Sequence, residues 1–198
     1  NQPFVSNLKW FKDQLTYFHL VDRKSGKVMH TYHAEPFFFF HMINSYEHDE
    51  HVVIDISCYE NADLVDALHI ENLKNPREEH LKSRPLRFVM PLKYSASADV
   101  NTNLVTLKGS DASAFPMSNG SVFIAPELLA DVGCEFGTIY YNKYLGKKYQ
   151  YFYGVATELQ DKSPSSLIKV DVDSKTKLTW HEDNVFPNEP IFVKNPEN

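Results

Sequence analysis

Apolar and polar residues alternate in short runs along most of this chain, and turn-forming residues separate the runs. Tyr17-Phe18-His19-Leu20-Val21 leads through Asp22-Arg23-Lys24-Ser25-Gly26-Lys27 into Val28-Met29. That pattern predicts a hairpin with Ser25-Gly26 at its tip. Residues 51–58 are β-branched and apolar on both faces, so they read as a strand covered on both sides. Residues 87–92, residues 121–125 and the aromatic run 149–153, closed by Gly154, read as further strands. Residues 166–172 turn through Asp173-Ser174-Lys175-Thr176 into Lys177-Leu178-Thr179-Trp180, a second hairpin. Ile191-Phe192-Val193 reads as a last apolar strand.

The most concentrated apolar run is Phe37-Phe38-Phe39-Phe40-His41-Met42-Ile43, with Asn44 next. It is too short to span a bilayer. It reads as a buried core strand that ends by placing one imidazole in a dry cavity. Neutral imidazole is the commonest protein metal ligand, so His41 is a candidate ligand. Residues 61–81 break the strand pattern, with Leu64, Val65, Leu68 and Leu73 set among charges and Asn61 placed to cap a helix. They predict one or two short helices inserted on the face of a β structure. No repeat and no Gly/Ser-rich linker divides the chain, so residues 1–198 read as one unit. Many short, evenly spaced strands make the fold class all-β: a sandwich, a barrel or a propeller.

Composition narrows the partners. The 198 residues are 42% hydrophobic with 14 Phe and 11 Tyr, ample for a core. A net charge of −6 with no basic run argues against a nucleic-acid partner. Cys58 and Cys134 have no zinc-ligand spacing and read as free buried thiols, which favours a reducing compartment. Asn119-Gly120-Ser121 is a glycosylation acceptor if the protein is secreted, and otherwise a turn. Asn1-Gln2-Pro3 lacks an initiator Met and a targeting pattern, so both ends read as cuts from a longer chain.

Nine His invite a metal reading. His30-x-x-His33 and His48-x-x-His51 would cluster ligands only on a helix. In strands, positions three apart face opposite ways, so both pairs read as solvated loop histidines. There is no His-Glu-x-x-His, no Gly-x-Ser-x-Gly and no P-loop. Two carboxylates stand among apolar neighbours: Glu135 in Gly133-Cys134-Glu135-Phe136-Gly137, and Glu189 in Phe186-Pro187-Asn188-Glu189-Pro190-Ile191. Each is either an exposed loop residue or buried with a partner. One fitting partner is the second N–H of a metal-bound His.

Several of these runs, in order, resemble the carotenoid cleavage oxygenases. Phe40-His41-Met42-Ile43-Asn44-Ser45-Tyr46-Glu47 with residues 52–58 is similar to the family's third histidine motif. Glu135-Phe136-Gly137-Thr138-Ile139-Tyr140-Tyr141, Gly146-Lys147-Lys148-Tyr149 and Phe152-Tyr153-Gly154 resemble the next block. Residues 167–172 and 187–193 resemble the one after it. The animal branch is the nearest likeness, and Ile139-Tyr140-Tyr141 leans toward the 9′,10′-cleaving oxygenase. The resemblance implies a seven-bladed β-propeller with a helical cap, of which this chain is a middle-to-late part. It implies Fe(II) held by four His, with His41 as the third ligand and Glu135 orienting it. Glu189 matches the carboxylate that orients the fourth His, and Phe40 matches an aromatic beside the iron in the substrate tunnel.

The implied substrate is a carotenoid or apocarotenoid, cleaved by dioxygen at one double bond. The implied partners are that polyene, a second polypeptide supplying the other blades and ligands, and a peripheral membrane contact. The implied location is cytoplasmic or mitochondrial, or extracellular if the Asn119 sequon is used. Gly137 stands where the family usually has Pro, and relaxes the turn that aims Glu135. With one His ligand of four, two readings stay open beside a bland β domain. One is part of an iron oxygenase. The other is a non-catalytic carotenoprotein or carrier that keeps the tunnel without iron.

Overall fold

A computed structural model describes residues 8–74, 82–95, 97–156 and 166–196. Twelve strands form three four-stranded sheets among these residues. The first hairpin is β1 (Thr16–Val21) and β2 (Val28–Ala34), with Gly26 in the left-handed region at φ +69°. Asp22 accepts from the Ser25 amide at 2.7 Å and the Ser25 hydroxyl at 2.6 Å, and these bonds lower its pKa. The middle sheet is β3 (Phe38–His48), β4 (His51–Tyr59) and β5 (Arg84–Pro91) with β8 (Glu127–Leu128) on its far edge. The last sheet is a meander of β9 (Glu135–Thr138), β10 (Tyr151–Ala156), β11 (Ser166–Asp171) and β12 (Thr176–Trp180).

The first sheet is completed from a distance. β6 (Ser113–Pro116) and β7 (Val122–Ala125) return to it after the middle sheet is built, giving the order β1-β2-β7-β6. The β2–β7 pairing is parallel, with Tyr32 beside Val122.

Period-two alternation assigns the faces of the middle sheet. Ile56, Cys58, Phe88 and Met90 pack with Tyr32, Ala114, Val122 and Ile124 of the first sheet. Val53 and Val89 point the other way, into a core shared with Phe152, Ile168 and Val170 of the last sheet and with Tyr149 just before β10. The three sheets are thus stacked face to face, and a run such as residues 51–58 must be apolar on both sides. On that second face Asp55 and Arg87 are paired across β4–β5, and the Tyr149 hydroxyl donates to Asp55 Oδ2 from the segment that leads into β10.

Two short helices, α1 (Asp63–Ala67) and α2 (Ile70–Lys74), fall within the stretch predicted to be helical; its residues 75–81 lie outside the described ones. Asn61 sits one position before the cap and accepts from the Asp63 amide at 2.9 Å. A third helix, α3 (Tyr141–Tyr144), follows β9.

Some expectations need correction. Phe37 precedes β3, Phe38 is half-buried, and Phe39 and Phe40 are exposed, because the cover over β3 begins only at Ile43. The Phe run is therefore not wholly core. Residues 191–193 form no strand, and Ile191 and Val193 are exposed; Phe192 instead stacks on Tyr140 at 4.6 Å. His33 and His51 are buried rather than solvated. His51 bonds the Asp49 carbonyl through Nδ1 at 2.6 Å and accepts from the Thr106 amide at Nε2, 3.2 Å away. That pattern needs the neutral ring and pins a two-residue turn, Asp49-Glu50, in which both residues are left-handed. No helix is long and apolar enough to cross a membrane among the described residues.

Candidate functional site

Two edge strands from neighbouring sheets meet where the candidate residues lie. β3 is one edge of the middle sheet, β9 is one edge of the last sheet, and the two are adjacent. His41 on β3 places Nδ1 2.8 Å from Oε2 of Glu135, the first residue of β9. The two partners differ sharply in burial: the His41 side chain is 47% exposed and that of Glu135 only 7%. A buried carboxylate without a donor is costly, so the imidazole N–H satisfies one oxygen of Glu135. Its other oxygen, Oε1, is buried with no hydrogen-bond partner. The tautomer follows: a carboxylate accepts, so Nδ1 carries the proton and Nε2 keeps its lone pair free to bind a metal.

Irregular pairing puts both side chains there. Along β3–β4 the register runs Phe39 with Cys58, then Met42 with Ile56, then Asn44 with Asp55. Phe40 and His41 together oppose one residue, and Ile43 is a second extra position. Along β9–β10, Val155 pairs with Glu135 and Tyr153 with Thr138, so Phe136 and Gly137 together oppose Gly154. Bulges of this kind re-aim side chains and gather next to active sites.

Phe136 is left-handed, at φ +53°. Its ring lies 5.1 Å from the His41 ring, and its amide reaches Glu135 Oε2 at 3.4 Å. Gly137 is not left-handed. A Cβ there would lie 2.6 Å from Ile43 Cγ1, so the glycine serves close approach of β9 to β3. The residue that stores backbone strain beside Glu135 is Phe136, which corrects the role expected of Gly137.

Phe40 stands beside His41, with ring centroids 6.3 Å apart, and is braced by Phe38 at 4.8 Å and Tyr59 at 6.3 Å. Glu189 is exposed in an irregular segment, and its amide bonds the Asn188 side chain at 2.8 Å. The structure thus brings His41, Glu135, Phe40 and Phe136 together and leaves Glu189 at the surface. No group of three or more His, Cys, Asp or Glu is placed to hold a metal among the described residues. Burial pushes the Cys134 thiol up to about 12 and the Cys58 thiol higher still, and the Glu135 charge adds to both. Both thiols stay protonated and free beside this site.

Two supports escaped the sequence reading. Asn44 is buried and donates to the Tyr144 and Lys147 carbonyls at 3.2 and 3.0 Å, while its oxygen accepts from the Gly146 amide at 3.2 Å. Its place three residues after His41 was visible; its tie to the α3 loop was not. Ser83 holds Cys134 from both sides, accepting from its amide at 2.8 Å and donating to its carbonyl at 2.6 Å. That fixes the entry to β9.

Comparison with known proteins places this arrangement. The family model described as retinal pigment epithelial membrane protein matches residues 1–198. A carotenoid isomerooxygenase of Drosophila melanogaster is 37% identical, covering 99% of this chain and 42% of its own length. A β,β-carotene 15,15′-dioxygenase of Gallus gallus is 39% identical, covering 98% of this chain and 37% of its own. The chain therefore spans about two fifths of these relatives. Among solved structures, the cobalt-substituted apocarotenoid oxygenase of Synechocystis superposes with a TM-score of 0.69 at 21% identity, over 96% of this chain and 34% of that one. The stacked sheets are part of a β-propeller of that type.

Proposed function

The chain belongs to the retinal pigment epithelial membrane protein family, the carotenoid oxygenases, and on that premise we propose that His41 is one ligand of a non-haem Fe(II) centre that cleaves a polyene oxidatively. The observation that supports this most is the 2.8 Å bond between His41 Nδ1 and Glu135 Oε2, made at a ring that is still half exposed. The donor set fits iron as far as it goes: a neutral imidazole with an oriented ring and a free Nε2. One His alone holds no iron, so the remaining ligands come from outside the described residues.

Bound iron would supply dioxygen activation, the two oxygen atoms ending in the two carbonyl products of the cleaved double bond. The residues of this chain do the rest. Glu135 fixes the imidazole tautomer and makes the ring a stronger donor. Phe40 and Phe136 flank that ring with apolar faces, which suit a polyene. The proposed substrate class is a carotenoid or apocarotenoid. The alternative carrier reading draws no support from the relatives, which are oxygenases by name.

Metal analysis of the full-length protein tests the proposal. Wild type should carry close to one equivalent of iron and convert a carotenoid to two carbonyl products, whose identity gives the bond cleaved. His41→Ala should lose the iron. Iron retained in full by His41→Ala would sink the ligand role, and a stable bound carotenoid without iron would sink the oxygenase.

A further inference from the structure

We propose that Gly154 and the left-handed Phe136 are a positioning pair that holds the Glu135 carboxylate on Nδ1 of His41, given the ligand role of His41 set out above. The bulge in β9 places Gly154 opposite both Phe136 and Gly137. Gly154 has no positive φ, so its backbone would accept any residue. Space is what demands a glycine. A Cβ there would lie 2.7 Å from Cys134 Sγ and 2.9 Å from the Glu135 carbonyl oxygen. Neither can yield freely: Cys134 is fully buried and clamped by Ser83, and the second contact is backbone of the positioned residue itself. Any side chain at 154 therefore pushes Glu135 bodily.

Phe136 acts from the other side. It is the left-handed residue of the bulge just after Glu135, and its amide reaches Oε2, the oxygen that also receives His41 Nδ1. Both donors converge on one carboxylate oxygen, and the Phe136 ring lies against the imidazole. The ring plane of His41 is thus set by a carboxylate and a phenyl group that one bulge delivers together. Neither residue need touch iron; both act through Glu135 and His41.

The test uses the full-length protein, metal-free and 15N-labelled at histidine. Wild type should show a slowly exchanging Nδ1–H on His41, assigned by its loss in His41→Ala. Gly154→Ala should lose that resonance or speed its exchange about tenfold or more, with a similar loss of cobalt(II) affinity. Gly120→Ala perturbs a remote left-handed turn and should leave both readouts at wild-type values. If Gly154→Ala does not fold, Phe136→Gly decides, since it keeps the bulge conformation accessible but unpins the ring, and should also speed the exchange. Unchanged exchange and cobalt affinity in the folded variants would overturn the positioning role. A wild type that takes up no cobalt, with the resonance still responding, would remove the metal reading of His41 and leave the positioning intact.

Discussion

Asp55 and Arg87 face each other across the β4–β5 ladder, with the carboxylate bound by guanidinium Nε at 2.8 Å and Nη2 at 2.9 Å. Asp55 is fully buried, and Tyr149, on the segment that leads into β10 of the next sheet, donates to it at 2.5 Å. The ion pair is therefore also a joint between two sheets. Breaking a buried pair leaves an uncompensated charge, at a cost of about 3–5 kcal/mol. Arg87→Met should lower stability by that amount in chemical denaturation of the full-length protein. Tyr149→Phe should cost less, about 1.5–3 kcal/mol, because it removes one hydrogen bond to a charge that keeps its main partner.

Alkaline pH should loosen the same joint. Burial pushes the Tyr46 phenol up to about 12, and its ring meets Tyr149 edge-on at 6.2 Å. Below pH 10 the phenol is protonated whether folded or not, and stability does not change. Between pH 10 and 12 only the unfolded chain releases the proton, so stability falls with rising pH. The gap between those values corresponds to about 3 kcal/mol. A Tyr46→Phe variant should show a shallower loss of stability over that window, and an identical slope would refute the assignment.

Close approach of β3 and β9 rests on Gly137 and Ile43. Gly137→Ala should cost about 1–3 kcal/mol through overpacking. In an Ile43→Ala background, where Cγ1 is gone, the same change should be close to neutral. A double-mutant cycle showing no coupling would mean that the glycine serves something other than this contact.

Glu135→Gln keeps the shape of the side chain and removes its charge. Iron affinity of the full-length protein should fall about 10–100-fold, as expected when the group that orients a ligating imidazole is weakened. The fold should persist, because Ser83 and the pairing with β10 hold β9 through backbone groups. Equal affinity in the variant would remove Glu135 from the site.

Much of this was legible in the chain. Residues 51–58, apolar on both faces, announced a strand covered from both sides, and Ser25-Gly26 and the 173–176 turn marked their hairpins. His41 and Glu135 were visible as candidates through the family resemblance, and the structure shows them bonded to each other. What stayed hidden depends on register. An extra residue at Phe40–His41, at Ile43 and at Phe136 has no local sequence mark, because bulges are set by neighbouring strands rather than by propensity. The exposure of Phe39 and Phe40 was missed for a similar reason: periodicity says that a run is apolar, not which part of a strand its neighbours will cover. β6 and β8 escaped because they are short, and β8 also pairs with β5, far back in the chain.

The parallel β2–β7 pairing has a consequence for how this protein can be divided. The first two sheets are interleaved: the chain starts one, builds the other, returns to finish the first and then adds β8 to the second. Neither can be excised, swapped or duplicated alone, because every cut between them severs a sheet. During synthesis the β1–β2 hairpin must wait for residues 113–125 before its sheet exists, a non-local closure that slows folding. The last sheet is contiguous from β9 to β12, so the one modular seam in the described strands lies between β8 and β9, immediately before Glu135. The seam for recombination and the joint that carries the His41–Glu135 bond are the same place, so exchanging the last sheet between relatives would exchange the carboxylate while keeping the histidine.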